Sequence, residues 1–188
     1  MTPSTRTDVV IRTYGPGQVA PLLDTIADIW ADAHPEIVDT PGASTDGLSV
    51  PALHRQVTGH ARHEGFTLVA AYAHGSMIAF GYAFPCTPEY WYGELLPAIP
   101  EHVRAGRLMG LCELAVTPAW QSQGIGSRLH AALLKAINPD WSSLLVRPDN
   151  TGGRSLYDRL GYEYAGPYHN TPDGPEFGLL LLRVADAT

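Results

Sequence analysis

Apolar positions along this chain alternate between a two-residue period and a helical one, and the switches divide it into elements. Asp8-Val9-Val10-Ile11-Arg12-Thr13 reads as a first strand, closed by the turn Gly15-Pro16-Gly17. From Val19 to about Ala33, Leu22, Leu23, Ile26 and Ile29 recur at helical spacing. A Pro/Gly/Ser/Thr-rich stretch at 39–50 reads as a loop, and Pro51 opens a second helix that runs through about Arg62 and is ended by Gly65. Residues 66–72 and 76–84 read as paired strands across Ala73-His74-Gly75. Residues 85–108 hold four prolines and the cluster Tyr90-Trp91-Tyr92 without a clear period, which predicts a long functional or mobile loop. A strand over 109–116 ends at Thr117-Pro118, and a helix over 127–137 carries Leu129, Ala132, Leu133 and Ala136 on one face. Residues 143–146 read as a strand and Asn150 to Leu160 as a helix stopped by Gly161. The chain closes with 162–165, a polar loop and the apolar run 177–184.

Strands and helices thus alternate without a repeat, the pattern of an α/β or α+β protein with a mixed sheet covered by helices. At 188 residues the chain suits a single domain over 1–188. With 45% hydrophobic and 16% charged residues, a packed core is expected rather than disorder. The net charge of −7 weighs against a nucleic-acid or membrane partner, although a few backbone amides can still bind a phosphorylated ligand. Two cysteines, Cys86 and Cys112, form neither a disulfide framework nor a zinc module, and no metal site is expected. The first residues lack the apolar run of a signal peptide and no stretch approaches membrane-spanning length, so the expected compartment is the cytoplasm.

The candidate chemistry begins at residues 113–129, where an apolar strand passes through a short turn and two glycines into an amphipathic helix. Gly124 and Gly126 let backbone approach a ligand, and the helix start offers unpaired N–H groups to an anion. A dinucleotide-binding loop needs a third glycine where this chain has Leu129, and a P-loop needs a lysine that is not near the glycines. What remains is Q-x-x-G-x-G, Gln121 through Gly126. Downstream stand Leu144-Leu145-Val146-Arg147-Pro148-Asp149-Asn150 and then Leu156-Tyr157, with Gly161-Tyr162 closing the helix. The two blocks together, over roughly 109–163, resemble the GNAT superfamily of N-acetyltransferases, and their pairing is far more specific than either half.

That resemblance implies a GNAT-like acyl-CoA-binding fold with a mixed, mostly antiparallel central sheet flanked by helices, and acetyl-CoA as co-substrate. It implies that backbone at Leu114, Ala115 and Val116 pairs with the pantetheine arm. Gln121, Ser122, Gln123, Gly124, Ile125, Gly126 and Ser127 would surround the pyrophosphate. Asn150 would cap the next helix and hydrogen-bond the pantetheine. Arg128 either adds charge or is a solvated helix residue. Tyr157 matches the family tyrosine that serves the departing CoA sulfur, its alternative being a residue packed on the helix face. Glu113 is the candidate base for an amine that arrives as ammonium, its alternative being a partner in an ordinary salt bridge. His60 and His63 share a helix face without a third ligand and read as surface residues, while His169 is a candidate for reaching the acceptor. The acceptor-lining candidates are Trp30 to Pro35, the 85–108 segment with Tyr90, Trp91, Tyr92 and Glu94, and Tyr168-His169. Aromatic and acidic groups together suit a cationic small-molecule amine. A protein N-terminal or lysine acetyltransferase, a non-catalytic acyl-CoA-binding module and a nicotinamide enzyme stay open, and a homodimer is expected only by analogy with the family.

Overall fold

The computed structural model describes residues 8–38, 49–170 and 173–184. Strand β1 (Val10–Tyr14) is followed by two 3₁₀ turns, Pro16–Gln18 and Ala20–Leu22, which lead into α1 (Leu23–Ala33) and the short α2 (Pro35–Val38). The loop expected over 39–50 lies outside the described residues as far as 48. Helix α3 (Val50–His60) starts where expected, with Pro51 in its first turn and the Ser49 hydroxyl accepting the Ala52 N–H at 3.2 Å. Strands β2 (Thr67–Ala73) and β3 (Ser76–Cys86) form the expected hairpin. Its two turn residues, His74 and Gly75, sit at φ 51° and 81°, the left-handed pair that matches the twist of a tight hairpin.

The segment 85–108 departs from the expected loop. It folds into α4 (Pro88–Tyr92), a 3₁₀ stretch Gly93–Ala98 and α5 (Glu101–Arg104). Each piece is about one turn or two, too short for a helical period to show against four prolines. Local signals hold them instead. The Thr87 hydroxyl accepts the Tyr90 N–H at 3.3 Å, and Tyr92, Ile99 and Val103 are buried. Then come β4 (Leu108–Val116), a 3₁₀ turn Pro118–Trp120, α6 (Ile125–Ile137), β5 (Trp141–Val146), α7 (Thr151–Leu160), β6 (Glu163–His169) and β7 (Glu176–Arg183). Strand β6 takes in residues expected to be polar loop, because Tyr164 to His169 pair along β7.

The strands form one sheet in the order β1-β2-β3-β4-β5-β7-β6. Every described pairing is antiparallel except β4 with β5, so the sheet is mixed and mostly antiparallel. Alternation along the strands sorts the core into two faces. Val69, Ala71, Leu111, Leu144 and Leu180 pack with Leu129, Leu133 and Tyr157 of α6 and α7. Leu68, Ala70, Phe80, Tyr82 and Ala115 pack on the opposite face with Ile26, Trp30, Leu53 and Val57 of α1 and α3. That second face continues across β5 and β7, where Tyr92, Ile99 and Val103 of the 88–104 segment cover Leu145, Leu179 and Leu181. Among the described residues no helix is long and apolar enough to cross a membrane.

Two irregularities of β4 position the site. Tyr82 pairs with Glu113 but the next residue, Ala83, pairs with Leu111, so Cys112 is the extra residue of a β-bulge. On the other edge the parallel ladder runs only from Leu108–Trp141 to Leu111–Leu144. Past that point β5 continues with β7 as far as Val146–Gly178, while β4 turns away.

Candidate functional site

Where β4 and β5 part, a cleft of about 470 Å³ opens between them. Its floor is the β4 edge at Leu114, Ala115 and Val116, which has no strand partner on the β5 side among the described residues. The starts of two helices converge on it: Gly124, Ile125, Gly126 and Ser127 of α6, and Asn150, Thr151, Gly152 and Gly153 of α7. The first-turn amides of a helix have no intrahelical acceptor, so both starts present donors to an anion. Gln121, Ser122 and Tyr157 line the same space.

The two glycines of the motif serve different purposes. Gly124 adopts φ 79°, and a Cβ there would meet open space, so its role is the left-handed turn that brings the chain into α6. Gly126 lies against other side chains: a Cβ would come within 3.0 Å of Leu156 and 3.5 Å of Leu114. It lets α6, α7 and β4 close upon one another behind the cleft. Around this turn Gln121 donates to the Val116 carbonyl at 3.0 Å and Gln123 to the Ala119 carbonyl at 3.1 Å. These side chains hold the loop's shape, and Gln123 does not line the cleft. Asn150 caps α7 as expected, its side-chain oxygen accepting the Gly153 N–H at 2.9 Å. Arg128 is neither free charge nor merely solvated; its guanidinium donates to the Val9 carbonyl at 2.8 Å and ties α6 to the start of the chain's first strand.

Tyr157 projects from α7 into the core, 8% exposed, with its ring edge-on to Tyr162 at 5.5 Å between centroids. Its hydroxyl has no hydrogen-bond partner among the described residues, although it borders the cleft. Burial, with Glu113 as a nearby negative charge, pushes its pKa well above that of an ordinary phenol. The tyrosine is therefore a packing residue whose phenol stays protonated where it borders the cleft.

Glu113 lies on the other face of β4, outside the lining of the cleft. It makes no salt bridge among the described residues, so the ordinary ion-pair reading fails. Gln56 on α3 donates to its Oε1 at 3.0 Å, and the buried Trp30 side chain of α1 stands near the same carboxylate and favours its charged form. Desolvation outweighs both and raises its pKa to about 7. Gln56 also donates to the Tyr82 hydroxyl at 2.9 Å, which in turn lies 3.0 Å from His60 Nδ1. The expectation that His60 and His63 are surface residues is corrected here. Both are half-buried, His63 stacks on Phe84 with centroids 4.2 Å apart, and His60 packs between Tyr82 and Phe84. Among the described residues no group of three or more His, Cys, Asp or Glu could hold a metal ion.

Of the acceptor-lining candidates, Trp30 reaches Glu113 while Ala33 and His34 line the cleft's near wall. Tyr90 is 53% exposed, with its ring beside those of His63 and Phe84. His169 instead stays within its hairpin, 3.1 Å from the Gly174 carbonyl. Gln56, Tyr82, Gly152, Gly153 and Arg159 were not singled out by sequence reasoning, and His60 was not placed near the carboxylate. A signal for two of them existed: Gln56 and His60 are polar residues on the face of α3 whose apolar positions are Leu53 and Val57.

Comparison with known proteins bears on the family and the fold. The family described as "Acetyltransferase (GNAT) family" matches residues 23–162. A [ribosomal protein bS18]-alanine N-acetyltransferase of Haemophilus ducreyi is 32% identical over 80 residues, which are 39% of this chain and 55% of that protein. The matched stretch thus spans about half of that relative's length. The solved ribosomal-protein-S18-alanine N-acetyltransferase of Escherichia coli superposes with a TM-score of 0.63 at 20% identity, over 96% of this chain and 97% of that one. PaiA N-acetyltransferase of Thermoplasma acidophilum, solved with coenzyme A, superposes with a TM-score of 0.60 at 16% identity, over 94% and 99% of the two chains. At these identities the two superpositions establish the fold.

Proposed function

The chain belongs to the GNAT family of acetyltransferases, and from that premise we propose that it transfers an acetyl group from acetyl-CoA directly onto an amine. The observation that carries the reading is the parting of β4 from β5 beneath two helix starts. An unpaired strand edge suits an extended chain bearing amides, as pantetheine does, because such a chain adds to a sheet like a further strand. The amides from Gly124 to Ser127 suit a diphosphate at the other end. Asn150, already engaged as a cap, offers its remaining amide hydrogens to the pantetheine. Acetyl-CoA as co-substrate supplies an activated acyl carbon and a thiolate leaving group.

Glu113 and Tyr157 divide the proton work because β4 stands between them. Glu113 takes the proton of the incoming ammonium, directly or through water, for which a carboxylate tuned near 7 is suited at neutral pH. Tyr157, held protonated by burial, donates to the departing sulfur. The freed amine nitrogen attacks the acyl carbon as the carbon–sulfur bond breaks, and the second proton that the nitrogen sheds returns through water to the Tyr157 phenolate, while the proton on Glu113 is released to solvent. The acceptor is a small-molecule amine on this reading, since the rings of Tyr90, His63 and Phe84 gather beside His60 and Tyr82 on the side of β3 that adjoins the carboxylate and suit a cation.

A second reading, an N-terminal amine of a protein, is favoured by the relative that acts on a ribosomal-protein alanine. Release of CoA thiol from acetyl-CoA, measured with a panel of small amines and of alanine-initiated peptides, tests both. Turnover confined to peptides would overturn the small-molecule reading. Absence of acetyl-CoA binding would overturn the whole proposal.

A further inference from the structure

On α3, Leu53 and Val57 are buried against the sheet, and Gln56 and His60 share that side. Burying an amide and an imidazole there is unfavourable unless their polar atoms are satisfied. They are satisfied along one chain. The Gln56 amide nitrogen donates one hydrogen to Glu113 Oε1 at 3.0 Å and the other to the Tyr82 hydroxyl at 2.9 Å. Tyr82 is fully buried, and its only other hydrogen-bond partner among the described residues is His60 Nδ1, at 3.0 Å. Its oxygen accepts from Gln56, and its hydrogen is available to His60 Nδ1, which accepts it in the Nε2–H tautomer.

We propose that Gln56 is the positioning residue for Glu113, held the right way round by Tyr82 and His60. The inference rests on the reading of Glu113 as the base. An amide can turn over and exchange its oxygen for its nitrogen. Turned over, Gln56 would set its oxygen against the carboxylate, acceptor against acceptor, and against a Tyr82 oxygen whose hydrogen is already committed to His60. Both contacts forbid the turn. With His60 removed, Tyr82 regains a free hydrogen, can donate to the Gln56 oxygen, and lets the amide swing away from Glu113. The groups around the carboxylate are Tyr82 from β3, Gln56 from α3, Trp30 from α1, Cys112 beside it on β4 and Tyr157 from α7. Among the described residues the hydrogen bond that reaches the carboxylate is the one from Gln56, with Trp30 also favouring its charged form. Around His60 stand His63, Tyr82 and Phe84.

The test reads Glu113 itself, without an acceptor. Protein carrying ¹³C at the glutamate carboxyl carbons is titrated by NMR, and the Glu113 resonance is assigned as the one absent in Glu113→Gln. Gln56→Met preserves side-chain volume but removes the donor, and a hydrogen bond to a charged group corresponds to an upward displacement of about one pH unit or more. His60→Leu moves the midpoint in the same direction by less. The double variant titrates with Gln56→Met, because His60 acts only through Gln56. Should Gln56→Met fail to fold, Tyr82→Phe removes the hydroxyl on which the second N–H rests and is expected to move the midpoint upward. An unmoved midpoint in Gln56→Met, or shifts that add in the double variant, overturns the inference. A normal rate of acetyl-CoA turnover in Glu113→Gln refutes the base instead, and leaves the titration result standing.

Discussion

Replacing Glu113 by glutamine should change how stability depends on pH, in a direction fixed by the structure. Desolvation by burial pushes the carboxyl's pKa up to about 7 in the folded chain, against 4.5 as its reference value. The native state therefore holds a proton that the unfolded chain releases, and stability from this source is complete below 4.5 and lost as pH rises to 7. A displacement of that size is worth about 3 kcal/mol. The amide in the variant does not titrate, so Glu113→Gln escapes the loss. The stability of Glu113→Gln minus that of the wild type should rise by about 3 kcal/mol between about pH 4.5 and 7.5.

A second group hides the effect in the wild type. His130 is 2% exposed, packed edge-on to Tyr162 and 2.8 Å from its hydroxyl, and burial lowers its pKa from 6.5 to about 4. Here the unfolded chain takes up a proton that the native state refuses. Its contribution is complete above 6.5 and is lost as pH falls toward 4, again by about 3 kcal/mol. Between 4.5 and 6.5 the two slopes oppose each other and nearly cancel, with His60, also lowered by burial, adding to the acid-side loss. Urea unfolding followed by tryptophan fluorescence at a series of pH values should give a flat wild-type profile there. Glu113→Gln should lose stability toward acid, and His130→Gln should lose it toward neutrality. Parallel profiles for the wild type and Glu113→Gln would refute the argument that the carboxylate is held desolvated.

Gly124→Glu should abolish acetyl-CoA binding in calorimetry, because φ 79° disfavours any side chain and a negative charge would enter the cradle; full affinity would sink the cradle. Tyr157→Phe should reduce turnover by about 100-fold, the lower range for a proton donor, with acetyl-CoA affinity little changed. An unaltered rate would leave Tyr157 as packing alone. Asn150→Ala should cost about 1 kcal/mol of stability through the lost cap and also weaken acetyl-CoA binding, and loss of stability without loss of affinity would confine the residue to capping.

Those elements that carry a strong local signal were legible from the chain. The hairpin at His74-Gly75, the strand into Gly124 and the helix from Asn150 to Gly161 each combine periodicity with a turn or cap residue. That Gln121, Ser122, Gly124 to Ser127 and Asn150 come together at one cleft was legible for the same reason, since these residues lie in two short stretches at helix starts. The 88–104 helical turns were not, because each is shorter than the window in which a period can be seen. The surroundings of Glu113 were hidden for another reason. Trp30, Gln56, His60 and Tyr82 come from three elements and meet only through the register of β3 with β4 and the packing of α1 and α3. Gln121 and Gln123 show the converse: both belong to a legible motif, yet their side chains hold the loop.

The bulge at Cys112 and the parting of β4 from β5 solve one geometrical problem. On the proposed mechanism Glu113 as base and Tyr157 as acid serve the same bond, and they must act from different directions without neutralising one another. Alternation along a regular strand would carry Glu113 and Leu114 to opposite faces, but a continuous sheet would seal one face from the other. Ending the parallel ladder at Leu111–Leu144 opens the sheet beside the residues where that alternation matters. The bulge sits one residue before Glu113, where it resets which side chains face α3. Glu113 then stands among Gln56, Trp30 and Tyr82 on one side, while Tyr157 and the helix starts occupy the other. Deleting Cys112 tests this directly. The regular strand that results would keep Leu111 against Ala83 and Glu113 against Tyr82 but lose the local bend and extra twist that the bulge imposes just before Glu113. The expected outcome is a folded or partly destabilised chain that keeps acetyl-CoA binding, which depends on residues after the bulge, and loses turnover. Retained turnover would show that the bulge has no part in aiming the carboxylate.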